Sequence, residues 1–440
     1  MASPTLILDM GGGSLKIGFS TDPHPKIIDN SIFKSKTLGG RTFVGNEIEQ
    51  CNNLSSLFCV MPFKKQNSLS DHNLIVTEPY FNFSSTKEAM NEIFFEDYQV
   101  AGLIRTNPAF LSAYKYRSES AQRLSRYCIV IDSGYSFTHI VPMADGFVMK
   151  DFVIRLTVGG KILTNRLIEA VSYRHLDVRS EIYIMNQCKE DVCYVSTDFW
   201  HDMKISRSNQ KSNSILREYV LPNYVDVHRG YVRDPNAVAS ENSGNDKSEQ
   251  RASNLSQQGY VLRLNNERFT VPELIFHPSD VGYQEMGLTE AIHYLMSERL
   301  PAAVRPGAWA NFMVMGGNAC FPGFAERLQR DIRTQAPDDL PVNVFKPPKR
   351  HTFERNTCFL QLTIDPSLSK KSNQHQQQGI NLFLFLLLSF FYTNISPQTY
   401  AWEGGVLFCQ NSDSFNHFLV TRKEYEEQGS SYCEKRFPIS

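Results

Sequence analysis

Short apolar, β-branched runs flank an Asp-x-Gly turn twice along this chain. Thr5-Leu-Ile-Leu-Asp9-Met-Gly11-Gly12-Gly13-Ser-Leu-Lys16-Ile-Gly-Phe19 and Tyr127-Cys-Ile-Val-Ile-Asp132-Ser-Gly134-Tyr135-Ser136-Phe-Thr-His139-Ile-Val141 each predict a β-hairpin whose turn glycines can take positive φ. Between them, Ser85-Thr-Lys-Glu88 has the form of a capping box, and Ala89, Met90, Ile93 and Phe94 mark one face of a helix. After the second hairpin, Val158-Gly159-Gly160-Lys161 opens a helix with Ile162, Leu163 and Leu167 on one side. Lys189-Glu190-Asp191-Val-Cys-Tyr194 lies in a later helix, where such charges ordinarily form a solvated face. Phe312-Met-Val-Met315 reads as an apolar strand running through Gly316-Gly317-Asn318 into a helix with Phe324, Leu328 and Ile332 at helical spacing. Strand, hairpin and helix alternate, which predicts mixed α/β layers.

Two segments break this pattern. Residues from about 235 to 258 are rich in Ser, Asn, Asp, Glu and Gln with almost no large apolar side chain, and predict a disordered surface insertion. Residues 345–394 combine a basic Lys346-Pro-Pro-Lys349-Arg350 cluster, a Gln-rich tract and the apolar run Leu382–Tyr392, and do not read as one foldable unit. That run is too short to span a bilayer, which takes roughly 17 to 25 residues, so no membrane association is expected.

The 440 residues suffice for two or three domain-sized units and a large core. With 45 basic against 46 acidic residues, the surface as a whole is no electrostatic match for nucleic acid, so any DNA contact must be local or arranged through partners. The nine cysteines contain no C-x-x-C pair, which favours reduced, buried thiols over a disulfide framework or a zinc site. The first strand follows Met-Ala-Ser-Pro directly, without the basic start and apolar region of a secretory signal. Trp200 and Trp309 read as packing residues, and Glu424-Tyr425-Glu426-Glu427 as a solvated helix face.

The chemistry sits in the hairpins. An Asp at each tip, followed by small residues with bare backbone N–H groups, suits a phosphate–metal complex held from two sides. The Gly316-Gly317 pair lets backbone approach a flat ligand closely.

Four stretches carry a more specific signal: Thr77-Glu78-Pro79-Tyr80-Phe81-Asn82-Phe83, Val130-Ile-Asp132-Ser-Gly134-Tyr135-Ser136-Phe137-Thr138-His139-Ile-Val141-Pro142, Lys189-Glu-Asp-Val-Cys-Tyr-Val195, and Tyr400-Ala-Trp402-Glu403-Gly404-Gly405. Together with the hairpins they resemble the actin family, in detail one of its nuclear actin-related members. The resemblance covers nearly all of the chain apart from the two irregular segments and one gap. It implies an α/β fold of two lobes with a nucleotide cleft between them, the architecture shared by actins, chaperone ATPases and sugar kinases. The first lobe would take 1–142, the second 143–344, and 395–440 would return to the first lobe.

In such a fold Asp9, Gly11, Gly12, Gly13 and Lys16 match the positions holding the β- and γ-phosphates, faced by Asp132 and Gly134. Gly160, Lys189, Glu190, Gly316 and Gly317 match positions around the ribose and adenine. The implied cofactor is ATP or ADP with Mg2+. Three departures argue against fast hydrolysis: Gly12 replaces a small hydroxyl residue, Tyr135 replaces an Asp, and the shorter Asn107 stands where the family's water-positioning Gln belongs. No catalytic residue is assigned. The family also places a core strand and helix between Met61-Pro62-Phe63-Lys64-Lys65-Gln66 and Leu74, where this chain has only a short link near 66–73. Losing that unit predicts exposed apolar surface on its neighbours. A skipped exon and a retained intron would give this gap and the 345–394 insertion.

The resemblance implies a non-catalytic or weakly catalytic nuclear subunit, with some presence in the cytoplasm allowed. It would act as scaffold and nucleosome-recognition subunit of a chromatin remodeller that deposits the Z-type histone variant. Its partners would be the remodeller's ATPase subunit, a zinc-finger HIT-type subunit, and the nucleosome through histones and local DNA contact. The alternative is an ATP-hydrolysing, polymerising cytoskeletal actin. A sugar kinase or chaperone ATPase would need a substrate pocket or a peptide-binding domain, for which no sequence is found.

Overall fold

A computed structural model describes residues 4–35, 42–45, 57–59, 69–119, 126–208, 212–223, 227, 229–233, 260–348 and 396–438. The polar segment 235–258, the apolar run Leu382–Tyr392 and the Lys349-Arg350 end of the basic cluster lie outside these residues. Among the described residues, no helix is long and apolar enough to cross a membrane.

Two six-stranded sheets share one plan. In the first, Leu6–Met10 pairs antiparallel with Ser14–Phe19, which pairs with Lys26–Asp29. On its other side Leu6–Met10 runs parallel to Asn73–Thr77, and that strand parallel to Gly102–Thr106. In the second, Tyr127–Ser133 pairs antiparallel with Thr138–Ala144, which pairs with Ile154–Leu156 and Phe147–Val148. Tyr127–Ser133 then runs parallel to Phe312–Met315, and that strand to Val344–Phe345. The parallel strands are covered on both faces, and their sequences read accordingly as unbroken apolar runs. Leu74, Ile75, Val76, Leu103, Ile104 and all four residues of Phe312–Met315 are buried. The second hairpin lies wholly in the second sheet, so the passage between sheets precedes residue 142. Phe345 still belongs to that sheet, paired with Met313.

Helical cover follows the sequence pattern in part. Phe324, Leu328 and Ile332 of the helix Phe324–Gln335 are buried on one stripe. The expected capping box at Ser85 does not form: the helix starts at Ser84, and its N-cap Phe83 makes no side-chain bond. Its buried stripe is also rotated. Met90 and Phe94 are inside with Asn91 and Phe95, whereas Ala89 and Ile93 are exposed, because the chain passes into a π-turn at Ile93–Asp97 that adds a residue to the repeat. Lys189 departs from the solvated face read for it and is buried in the helix Ile182–Val192. Trp309 packs in the core beside Phe312, but Trp200 is 78% exposed, so the packing role read for it is corrected.

The C-terminal residues close the first sheet. Val420–Thr421 pairs antiparallel with Gly102-Leu103, and Cys433 and Phe437 join Leu6, Leu8, Leu74 and Val76 in one apolar cluster. In the helix Arg422–Gln428, Tyr425 stacks on Phe95 with ring centres 4.4 Å apart. Residues 66–68 of the short link lie outside the described residues, and the strand after it, Asn73–Thr77, is buried through Leu74, Ile75 and Val76.

One buried cation ties these pieces together. Arg105 is fully buried; its Nη1 donates to Lys87 O at 2.7 Å and to Asn91 Oδ1 at 2.8 Å, and it pairs with Glu434 and with buried Glu78. Its guanidinium carbon also lies 5.1 Å from the centre of the Phe437 ring. Arg105→Ala would strand Glu78 without its cation, and breaking a buried pair from one side costs about 3–5 kcal/mol. Urea denaturation is expected to show a loss of that size; a loss below about 1 kcal/mol would show that Arg105 does not tie these pieces together.

Candidate functional site

Strand register assembles the first half of the site. Asp9 lies opposite Lys16 in the first hairpin, and directly opposed residues of an antiparallel pair share a face. Their side chains meet, with Lys16 Nζ 3.4 Å from Asp9 Oδ2. The adjoining parallel strand fixes the other oxygen: Thr77 Oγ1 donates to Asp9 Oδ1 at 2.7 Å and accepts from Met10 N at 2.9 Å. Asn30 holds the turn, its Nδ2 donating to Gly11 O at 3.1 Å and its N to Gly13 O at 3.0 Å. The amides of Gly12 and Gly13 have no protein acceptor among the described residues. Asp9, Thr77 and Asn107 all stand at the carboxyl ends of parallel strands, where open α/β sheets present their ligand sites.

The second half is built the same way. Met315 lies opposite Asp132, which brings Gly316 against the second hairpin. Gly316 has φ +90°, and a methyl group there would sit 2.3 Å from Ser133 O and 2.8 Å from Asp132 Oδ1, so only glycine fits on both counts. Asn318 Nδ2 donates to Gly134 O at 2.8 Å and to Ser133 Oγ at 3.1 Å. Gly160 N donates to Gly134 O at 3.0 Å and Lys161 N to Tyr135 O at 2.8 Å, seating the helix Gly160–Arg174 beneath the turn.

The two turns touch. A methyl group on Gly12 would lie 2.3 Å from Ser136 Oγ, and one on Gly13 would lie 3.0 Å from Tyr135 Cβ. The Tyr135 ring reaches past Gly13 toward Gly160, where its Cδ2 would be 3.3 Å from an added methyl, and Lys189 Nζ is 5.7 Å from its centre. Lys189 itself is spent inward, donating to Gly160 O at 3.1 Å, Thr164 Oγ1 at 2.9 Å and Asn186 Oδ1 at 2.8 Å. Burial pulls its pKa below the usual lysine range.

Charge is unbalanced at the tips. Burial and then the facing Asp9 carboxylate push the Asp132 carboxyl up to about 6, against the pull of Lys16. His139, opposite Asp132 in the hairpin, is held down to about 4 by burial and by Arg155, so it is neutral at pH near 7. Its Nε2 is buried without a hydrogen-bond partner. The Tyr80 ring lies 5.3 Å from that imidazole, and its hydroxyl donates to Asn107 Oδ1 at 2.6 Å. The same oxygen accepts from Phe110 N at 2.8 Å, capping the helix Pro108–Ser118.

The structure thus gathers Asp9, Gly11, Gly12, Gly13 and Lys16 on one side and Asp132, Gly134 and Gly316 on the other, with Gly160 and Lys189 reached through Tyr135. Glu190 stands exposed at the margin, accepting from Asn186 Nδ2 at 2.8 Å, and Gly317 sits beside Gln398. Thr77 and Asn318 lie in motifs read from the sequence but, like Asn30, are not assigned there to the site. The available signals were a polar residue ending a buried apolar strand, for Thr77, and one directly after a paired glycine, for Asn318. The donor set fits a metal-bound phosphate: two facing carboxylates, one lysine, unpaired turn amides and an unpartnered buried imidazole nitrogen. The space between Gly13 and Gly160 is taken by the Tyr135 ring.

The family model described as actin matches residues 46–357, beyond the first hairpin. Actin-related protein 6 of Drosophila melanogaster is 34% identical, with 99% of this chain and 100% of the relative covered. Proteins of the same name from Neurospora crassa and Arabidopsis thaliana are 29% and 27% identical, covering 98% and 99% of this chain and 94% and 99% of their own. The first hairpin, outside the family match, is covered by these relatives and repeats the plan of the second. The chain therefore belongs to the actin family, and its α/β architecture of paired sheets is that of the two-lobed actin fold.

Proposed function

We propose that this chain is a nuclear scaffold and nucleosome-recognition subunit of a chromatin remodeller that deposits the Z-type histone variant, and that it retains nucleotide as a structural ligand with little or no turnover. The nuclear role rests on the resemblance of the Thr77–Phe83, Val130–Pro142 and Tyr400–Gly405 motifs and on relatives named actin-related protein 6. The partners this entails are the remodeller's ATPase subunit, a zinc-finger HIT-type subunit, and the nucleosome through histones and local DNA contact.

Actin-family domains generally bind ATP or ADP with Mg2+. Here Asp9, Gly11, Gly12, Gly13, Lys16, Asp132 and Gly134 are the residues to hold the phosphates and metal, and Gly160, Lys189, Glu190, Gly316 and Gly317 those to border the ribose and base. The bound complex supplies cation and anion to the unpaired amides and the facing carboxylates. Because it binds only the folded state, it stabilises the scaffold by about 2.7 kcal/mol at a hundredfold excess over Kd.

The observation carrying the non-catalytic reading is the Tyr135 ring lodged between Gly13, Gly160 and Lys189, where the family pattern has a carboxylate that orders metal-bound water. Asn107 adds to it. Its side-chain oxygen is committed to Tyr80 and to the helix cap, so it is not available to orient an attacking water.

Affinity purification from nuclear extract with mass spectrometry tests the scaffold role; remodeller subunits should co-purify, and recovery of chaperones alone would defeat it. Single-turnover assays should show no phosphate release at an actin-like rate, and such release would instead favour the polymerising ATPase. Tyr135→Ala is expected to tighten nucleotide binding by about tenfold, read by calorimetric titration, while leaving hydrolysis absent. The Asp132 carboxyl is raised above its unfolded value, so it contributes stability at low pH that is lost as pH rises through about 6. Asp132→Asn should therefore raise Tm of the nucleotide-free protein more at about pH 7.5 than at about pH 5 by scanning fluorimetry. Equal shifts would show that Lys16 already balances the pair.

A further inference from the structure

Trp200 is the surface tryptophan of this chain: it is 78% exposed, against 5% for Trp309 and 1% for Trp402. It stands on the helix Phe199–Ser206, which is anchored from its other side. Phe199 packs edge-on against buried Phe269, with ring centres 5.5 Å apart, and Ser206 is buried. Asp198 caps the helix by accepting from His201 N at 3.1 Å, and Asp202 accepts from the Tyr194 hydroxyl at 3.1 Å. Both carboxylates of this segment accept hydrogen bonds within the fold, and helical spacing puts them on the side away from Trp200.

On the Trp200 side of the helix the charged residues have one sign, while exposed Asp198 stands on the other side. Trp200, Lys204 and Arg207 recur at i, i+4 and i+7, which places them on one helical face, and all three are exposed, with exposed His201 beside them. No carboxylate pairs with Lys204 or Arg207 among the described residues. The segment 198–207 is neutral as a whole, with Asp198 and Asp202 against Lys204 and Arg207, but its cations share the face of the uncovered indole and its acids do not.

An uncovered indole and an unneutralised basic row are complementary to an acidic segment that also carries an apolar side chain. Tryptophan and arginine are the side chains that most often dominate protein interfaces. From Trp200 to Arg207 the face is about 10 Å long, room for about three residues of extended peptide. Duplex binding of useful strength draws on roughly 6–10 phosphate contacts, more than this face can make. We propose that the Trp200–Lys204–Arg207 face docks an acidic segment of a partner protein, an apolar side chain lying on the indole and carboxylates pairing with the two cations. The site is separate from the hairpin cleft and needs nothing from it.

The test uses the full chain and a fluorescein-labelled peptide, acetyl-Glu-Asp-Phe-Asp-Glu-Leu-amide, with an oligo-dT of about 12 nucleotides as the competing probe. Trp309 and Trp402 are buried, so a change in exposed indole emission reports Trp200. Saturable peptide binding is expected, with a blue shift of that emission and a clear weakening between about 0.05 and 0.3 M salt. Trp200→Ser and the pair Lys204→Glu, Arg207→Glu should each weaken it by about tenfold or more, and Trp200→Phe should keep most of it. Unchanged melting curves of these variants establish that the fold is intact. Absence of saturable peptide binding, binding indifferent to the substitutions, or binding of the oligonucleotide in place of the peptide would each overturn the proposal.

Discussion

The two sheets are held to each other where the helix Tyr400–Gln410 lies against the helix Pro108–Ser118, at a separation that only glycine permits. A methyl group on Gly404 would sit 2.0 Å from the Leu111 carbonyl oxygen, so any side chain there would force the helices apart. Both helices pack between the sheets, Ala109, Ala113, Tyr400 and Ala401 against Val130 and Met313 of the second and Phe110, Leu111, Trp402 and Phe408 against Ile7 and Ile75 of the first, and the contact therefore orients one sheet against the other. Lys115 reinforces it by pairing with Glu403 and lying 4.6 Å from the Tyr400 ring centre. Gly405 meets Ile7 of the first hairpin, and Trp402 fills the space that a side chain on Gly18 would need. The segment entering the helix reaches the site directly, since Gly316 N donates to Pro397 O at 3.0 Å. Helix packing, the Gly316 turn and the convergence of the hairpins are thus one mechanical unit.

That convergence explains two departures from the family pattern as one change. A small hydroxyl side chain at position 12 would collide with Ser136, whose oxygen lies 2.3 Å from where its Cβ would be. With Gly12 the Ser136 hydroxyl can point across to the first turn, whereas a side chain at position 12 would make it rotate away. Tyr135 makes the neighbouring contact with Gly13. The substitutions exchange a side-chain donor and a carboxylate for direct contact between the turns. Asp9 and Asp132 are kept in this arrangement, and their mutual repulsion with only Lys16 between them is the energetic cost of keeping them.

The sequence made the strands legible because the physics that sets them is local. Apolar runs ending in Asp-x-Gly could be little else than hairpins, and the Phe312–Met315 run with Phe324, Leu328 and Ile332 behind it located the third element of the second sheet. Positions set by the meeting of distant elements were not legible. The π-turn at Ile93 rotated a helix face that regular spacing had placed elsewhere, and Lys189 looked solvated until the Gly160 turn folded over it. Thr77 and Asn318 matter only through side-chain bonds to hairpins far away in sequence. Trp200 was misread because tryptophan is buried on average, and the deciding fact is that Phe199 takes the inward position.

The proposed scaffold role places the demands of partner binding on the surface and those of ligand binding in the cleft. Nucleotide held as proposed would tighten the two sheets around the Gly404 contact, but would present no partner with a chemical feature of its own. Discrimination between partners needs groups that lose water and gain contacts on association. An indole exposed beside unneutralised cations has that property, whereas fully paired surface charges gain little. Keeping Trp200, Lys204 and Arg207 free requires that nearby carboxylates be engaged elsewhere, and Asp198 and Asp202 are engaged, in the cap and in the bond from Tyr194. The acids of this segment are thereby held on the side of the helix away from Trp200, and the face they leave basic and aromatic suits an acidic partner.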